Sequence, residues 1–275
     1  MFVSLVGAVA YALLTRLDIA VFVSCLQRMS HKCRIIHIKR LNAVVRYIQR
    51  KHVKLVYRNL PKGVKHLRCV GDAAFKKETD TGHALRGAVF LLCSVAGDHS
   101  VDGNDPHTYI NKSCVHHVLE YVCKSEKHVT RSTFSAELFS ACDTADQAII
   151  LAIELNEVFC GVTDKATNRQ LREQGGWKIP VCIVVDAMNV FSAVTATYIK
   201  PPAEKSMLTH VQYLRELLDN GVLSAFAWCD TRDMIADGLT KGKVDRGALL
   251  AIMDGAWNLV HDMKIWTPRK IPISQ

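Results

Sequence analysis

Val181-Cys182-Ile183-Val184-Val185-Asp186-Ala187-Met188-Asn189 is the stretch around which the rest of the chain is organised. Its opening run of five apolar, mostly β-branched residues predicts a strand buried on both faces, because only a central strand hides every side chain. Asp186 ends that run. A carboxylate at the C-terminal tip of such a strand, followed by the helix-like Val190, Phe191 and Val194, sits where open α/β sheets place ligands and catalytic groups. The same position suits an N-cap on the next helix, and the strand alone does not choose between the two.

With 275 residues, 49% of them apolar, the chain can fill a core as one large domain or two small ones, which excludes the disordered class. Lys and Arg number 35 against 26 Asp and Glu, and the resulting charge of +9 favours a polyanionic partner. The basic residues cluster between His31 and Arg68. There Lys32, Arg34, Lys39, Arg40, Arg46, Arg50, Lys51, Lys54 and Arg58 recur around apolar Ile35, Ile36, Leu41, Val44, Val45 and Ile48. Such a basic amphipathic segment is either a solvated face or a phosphate contact.

Ten cysteines without a single C-x-x-C pair, several inside apolar runs, read as reduced core residues of an intracellular protein. Cys114, His116, His117, Cys123 and His128 crowd one stretch, but their spacing matches no zinc-ligand pattern. The apolar run from Met1 to Leu14 is too short to span a bilayer, lacks a basic lead-in and is broken by Arg16 and Asp18. It reads as a buried helix rather than a signal peptide. Because the chain opens inside that pattern, it is expected to be a fragment whose upstream part covers the surface.

In order, residues 1 to about 60 read as helical up to Pro61-Lys62-Gly63. Strands are expected from Leu67 to Ala74, Ala88 to Cys93 and Val118 to Cys123, with an exposed loop or insertion from Gly97 to Lys112. The longest helix starts at Ser132 or Thr133. Its stripe of Phe134, Leu138, Ala141, Ala145, Ala148, Ala152, Leu155 and Phe159 packs on the sheet, with Glu137 at the border in the first turn. A polar connection from Asp164 to Trp177 leads to the Asp186 strand. A short helix to about Thr197 follows, then a longer one from Glu204 to Asp219 closed by Asn220-Gly221. A last strand, Val222 to Cys229, precedes a helix containing Ile235, Ala236 and Asp237, for which Asp230, Thr231 and Asp233 offer caps. Three early strands followed by strands with helical crossings imply a mixed α/β sheet flanked by helices. Trp177, Trp228, Met188 and Met207 read as packing residues.

Asp72, Glu137, Asp186 and Asp237 all fall at element ends or first turns, far apart in sequence, so only folding can gather them. Gathered carboxylates repel unless cations neutralise them. Oxygen-only ligation selects a hard ion such as Mg²⁺ or Mn²⁺, and two such ions suit phosphodiester hydrolysis. Spacing alone leaves scattered caps and surface acids as the other reading.

Several stretches resemble the ribonuclease H domain of Copia-type retrotransposon Pol polyproteins. Gly71-Asp72-Ala73-Ala74-Phe75 is similar to that family's S-D-A-D-W, Thr130-Arg131-Ser132-Thr133-Phe134-Ser135-Ala136-Glu137-Leu138 to its S-S-T-E-A-E-Y, and Val185-Asp186-Ala187-Met188-Asn189 to its C-D-N-Q-S. The most specific match is Asp233-Met234-Ile235-Ala236-Asp237-Gly238-Leu239-Thr240-Lys241, which resembles D-Q-L-A-D-x-L-T-K. Upstream, Val6-Gly7-Ala8-Val9-Ala10-Tyr11, Thr15-Arg16-Leu17-Asp18-Ile19-Ala20 and Val45-Arg46-Tyr47-Ile48 resemble the end of the reverse transcriptase and its connection.

The resemblance implies a ribonuclease H-like, mixed five-stranded sheet over 63–255. A helical tail of the reverse transcriptase and connection would occupy 1–62, and a C-terminal tail 256–275. It implies an endonuclease for the RNA strand of RNA·DNA hybrids with two Mg²⁺ or Mn²⁺ ions on Asp72, Glu137, Asp186 and Asp237. It also implies nucleic-acid contacts from Arg46, Arg50, Lys51 and Asn189, and the absent polymerase portion of Pol as a partner, with no membrane. Departures are Leu17 for the family's Pro, Ala74 and Phe75 for its second Asp and Trp, no counterpart of its K-H-I-D near Lys205, and a longer Gly97–Lys112 stretch. Val184-Val185-Asp186-Ala187 carries one Asp, which rejects a working polymerase. A histidine that could aid product release has no clear counterpart, His210 being the nearest and reading better as surface or core. The other class of function is a non-catalytic nucleic-acid-binding or structural remnant of a transposon.

Overall fold

The strand expected at 181–185 forms as β4 (Val181–Val185), and all five residues are buried. The computed structural model describes residues 1–75, 83–97, 100–198 and 200–268. Three antiparallel strands precede β4, namely β1 (Gly63–Ala74), β2 (Leu85–Ala96) and β3 (Cys114–Ser125). β4 then pairs parallel to β1, and β5 (Ala225–Trp228) pairs parallel to β4.

Among the described residues the sheet has seven strands rather than five, in the order β6-β3-β2-β1-β4-β5-β7. The additional pair, β6 (Ala256–Trp257) and β7 (Lys264–Trp266), comes from residues expected to be a tail. Each adds two or three residues antiparallel to an outer strand. Runs this short carry no readable period-2 pattern, which is why they escape detection in the sequence.

Side chains alternate across the sheet as strand geometry requires. Leu67 and Cys69 of β1, Ala88, Phe90 and Leu92 of β2, and Val181, Ile183 and Val185 of β4 share one core with α4 (Thr133–Cys160), α6 (Met188–Thr195) and α7 (Leu208–Asp219). Val70, Val89, Leu91, Cys93, Cys182 and Val184 face the other core. There they meet Leu17, Ala20, Met234, Ile235, Leu239 and the residues of α9 (Gly247–Met253). The helix-bearing faces are thus both covered, as the all-apolar β4 demands.

The long helix starts where expected. Ser132 Oγ accepts from Ser135 N at 3.1 Å while Ser135 Oγ accepts from Ser132 N at 3.1 Å, a reciprocal cap that satisfies two end donors. The polar connection from Asp164 to Trp177 instead contains a helix, α5 (Lys165–Gln174), capped by Asp164 accepting from Thr167 N at 2.7 Å. None of its residues is buried, so no apolar stripe announces it. Of the stretch expected as a loop from Gly97 to Lys112, residues 98 and 99 lie outside the described residues, and the part from Ser100 to Lys112 is pinned inward by buried Tyr109 and Ile110. The fully buried Arg68 holds it there, donating to the carbonyls of Ile110 (2.9 Å) and Lys112 (3.3 Å) with its guanidinium 4.6 Å from the Trp257 ring centre.

The N-terminal helices are α1 (Phe2–Tyr11), α2 (Ala20–Arg28) and α3 (Ile35–Arg50), so helical structure ends at Arg50 and not near 60. Residues 51–62 run without helix or strand before β1. α1 forms, yet of its residues only Val6 is buried, whereas Val3, Leu5 and Tyr11 are exposed; the expectation of a buried helix holds for one position alone. This unit is tied to β3, where Ser24 Oγ donates to the Cys123 carbonyl and Tyr57 Oη to the Val118 carbonyl, each at 3.1 Å. A helix over Ile235 and Ala236 does not form either. A short 3₁₀ turn at Thr231–Asp233 and the four-residue α8 (Asp237–Thr240) take its place.

Two glycines set how closely helices approach the sheet. A Cβ on Gly71 would lie 2.6 Å from Thr144 Oγ1, and one on Gly87 would lie 2.7 Å from Leu239 Cβ and 2.9 Å from Thr240 Cγ2. α4 and α8 therefore rest directly on backbone. Gly87→Ala is expected to lower stability by about 1–3 kcal/mol through overpacking, read from the urea denaturation midpoint.

Candidate metal centre

Parallel pairing of β1 with β4 stops at Val70 and Val184. Asp72 and Asp186 each lie two residues past that last pair, so both carboxylates project from the C-terminal ends of adjacent strands. Beyond the reach of β4, the Ala73 backbone N–H donates to Glu137 Oε2 at 3.1 Å, which draws the first turns of α4 onto the same spot. Ser140 Oγ adds a 3.0 Å bond to the Asp72 carbonyl. Asp72 and Glu137 are buried and Asp186 is half-buried.

One carboxylate oxygen from each of Asp72, Glu137 and Asp186 lies within 4.8 Å of the others, the one such group of three or more potential ligands among the described residues. Asp237, at the start of α8, faces the group but is engaged by an ion pair with Lys241 Nζ. The same ammonium lies 3.7 Å from Asp72 Oδ1. Thr240 Oγ1 donates to Asp72 Oδ2, while the buried Asp72 Oδ1 has no hydrogen-bond partner. Trp228 Nε1 donates to the Asp186 carbonyl at 2.7 Å and fixes the strand end, so this tryptophan anchors rather than stacks.

The electrostatics follow from crowding. Burial, and then the charges of Asp72 and Asp186, push the Glu137 carboxyl up to about 9. Burial likewise raises Asp72 to about 7, with Lys241 opposing and Asp237 and Asp186 adding to the rise. Asp186 is raised, first by burial and then by Asp237. For Lys241, burial favours the neutral form, but Asp72 and Asp237 outweigh it and raise its pKa.

Whether these residues suit a divalent cation can be tested on the donors themselves. All are oxygen, three converge, and a buried Asp72 oxygen is left without a hydrogen-bond partner. That set fits a hard ion of the Mg²⁺, Mn²⁺ or Ca²⁺ kind and not a soft one.

The remaining expected residues lie elsewhere. Arg46 and Arg50 are exposed on α3, and Lys51 is exposed just past its end. Asn189 is exposed in the first turn of α6, its Oδ1 accepting from Val190 N at 2.9 Å. His210 packs edge-on against Phe139, with centroids 4.7 Å apart. The Cys114–His128 stretch does not converge: His116 bonds the Ile252 carbonyl, His117 the Arg58 carbonyl, Cys123 the Leu239 carbonyl, and His128 stacks on Phe139. Thr240 and Lys241 acquire a place at the centre that residue type alone did not assign. The i,i+4 spacing of Asp237 and Lys241 on a helix is the signal that carries it.

The carboxyl shifts give a pH dependence with a definite sign. A carboxyl raised above its unfolded value contributes stability that is present at low pH and lost as pH climbs through the folded value. The metal-free protein is therefore expected to melt at progressively lower temperature from about pH 5 to about pH 9, the window bounded by the ordinary and raised Glu137 values. Glu137→Gln is expected to flatten that slope, as thermal melts in chelator would reveal.

No protein-family model matches this chain, and no curated protein matches it. One solved structure does, an N-terminal RNase H domain from Mycobacterium tuberculosis determined as a fusion with maltose-binding protein. The likeness covers 68% of this chain and 99% of that one, at 17% identity and a TM-score of 0.36.

Proposed function

We propose that this chain is a divalent-metal-dependent endonuclease that hydrolyses the RNA strand of RNA·DNA hybrids, the ribonuclease H of a Copia-type retrotransposon Pol polyprotein. The observation that carries the reading is the convergence of Asp72, Glu137 and Asp186 beside the ends of two parallel strands, with a buried Asp72 oxygen that has no hydrogen-bond partner. Their sequence surroundings, and those of Asp237, resemble that family's motifs in the family's order.

In this reading Asp72, Glu137, Asp186 and Asp237 hold two Mg²⁺ or Mn²⁺ ions. When bound, the ions neutralise the carboxylates, activate water for attack on the scissile phosphodiester and stabilise the departing 3′ oxygen. The chain's own residues supply the frame. Trp228 and the end of β4 fix Asp186, the Ala73 N–H orients Glu137, and Thr240 orients Asp72. The products carry a 3′-hydroxyl and a 5′-phosphate. A hybrid is recognised by backbone shape and 2′-hydroxyls, for which Arg46, Arg50 and Lys51 offer phosphate contacts and Asn189, three residues after Asp186, a polar one.

The unit we assign to the chemistry is 63–255, with 1–62 as the end of the polymerase and its connection, and the polymerase portion of such a polyprotein as partner. All ten cysteines are free, which suits a reducing intracellular compartment. Among the described residues no helix is long and apolar enough to cross a membrane. One observation favours the contrary reading of an idle, nucleic-acid-binding remnant: Lys241 forms an ion pair with Asp237, one of the four carboxylates.

Cleavage of a labelled RNA·DNA hybrid in Mg²⁺ or Mn²⁺, beside single-stranded RNA, separates the two. Asp186→Asn is expected to lower hybrid cleavage by about 10²-fold or more, with an unchanged circular-dichroism spectrum. Folded wild-type protein that binds the hybrid and never cuts it would establish the remnant instead. For the basic helix, Arg46→Ala with Arg50→Ala is expected to weaken hybrid binding regardless of sequence. The log–log salt slope should become shallower by about one to two, measured by fluorescence anisotropy.

A further inference from the structure

Four carboxylates and one ammonium share the centre, and the ammonium's position is specific. Lys241 Nζ pairs with Asp237 and lies 3.7 Å from Asp72 Oδ1, the buried oxygen that has no hydrogen-bond partner. Glu137 and Asp186 form no ion pair among the described residues, and with Asp72 they make up the three-oxygen group. The acids thus divide into a trio open to a cation and a gap, between Asp72 and Asp237, that already contains one.

The backbone carrying Lys241 is pinned. Arg246 donates to the Gly238 carbonyl and, at 3.2 Å, to the Lys241 carbonyl, with its guanidinium 4.7 Å from the Phe22 ring centre. The lysine side chain, at 31% exposure, has a path to solvent. A flexible four-carbon stem on a fixed backbone can swing out without disturbing α8.

We propose that Lys241 is a tethered counter-cation that holds the place of the second divalent ion. The first ion binds Asp72, Glu137 and Asp186, and an ion between Asp72 and Asp237 enters only as the ammonium swings out. This rests on the metal-centre reading above and adds to it an order of filling and the residue that sets it. Neutralisation by Lys241 also keeps α8 seated on the sheet while no ion is bound.

The test is Mn²⁺ binding by the full chain without nucleic acid, followed by calorimetry and by the electron paramagnetic resonance signal of free Mn²⁺. Wild-type protein is expected to bind one ion tightly and a second about tenfold or more weaker. In Lys241→Gln the second ion is expected to tighten by about tenfold or more, and the metal-free melting temperature to fall and recover with Mn²⁺. Lys241→Arg, which keeps the charge, should behave as wild type, and Asp186→Asn should lose the tight ion. Equal affinities for two ions in the wild type, or no change in Lys241→Gln, would overturn the role of Lys241 and leave the metal centre standing. Failure of both proteins to bind any Mn²⁺ would overturn the two together.

Discussion

The end of one parallel pairing governs the acidic face of this protein. Because the register of β1 with β4 ends at Val70 and Val184, the residues just past it set two carboxylates side by side. Burying charge is costly unless it is paired or neutralised, so this end must recruit partners. It does so from three directions: α4 brings Glu137 to the Ala73 N–H, α8 brings Thr240 to Asp72, and Trp228 on β5 holds the Asp186 carbonyl. What these leave unbalanced is negative charge. That residue of charge makes the raised Glu137 and Asp72 carboxyls and the Lys241 ion pair parts of one problem.

Close approach is the second requirement, and it is met by missing side chains. Gly71 lets Thr144 sit on β1, and Gly87, directly opposite Asp72 in the antiparallel register, lets Leu239 and Thr240 sit on β2. Small residues along α4, Ala141, Ala145 and Ala148, continue the same contact. A bulkier strand surface would hold both helices away and leave Asp72 facing water.

Much of this could be read in the residues. The unbroken apolar runs of β4 and β2 and the apolar Leu67, Cys69 and Val70 of β1 specify a buried mixed sheet, and Ser132 marks the start of α4, because burial and capping are written locally. Elements fixed by contacts remote in sequence stayed hidden. β6 and β7 exist only because β3 and β5 offer edges to them, and α5 lacks a buried face that would show as periodicity. The apolar α1 misleads in the opposite way, since composition promised burial and the fold buries Val6 alone. At the centre, strand-end carboxylates were visible as a pattern. The i,i+4 spacing of Asp237 and Lys241 shows that these two can pair, but that the pair would stand beside Asp72 depends on the short α8 packing on Gly87, which no local pattern records.

The contacts that the N-terminal unit makes with β3 have a meaning beyond attachment. β6 pairs with Cys114 and Val115, so among the described residues most of the outer edge of this twelve-residue strand has no strand beside it. Tyr57 and Ser24 instead occupy the carbonyls of Val118 and Cys123 with side-chain donors. An uncovered strand edge is a template for another chain, and these two donors occupy hydrogen-bonding groups that such a chain would use.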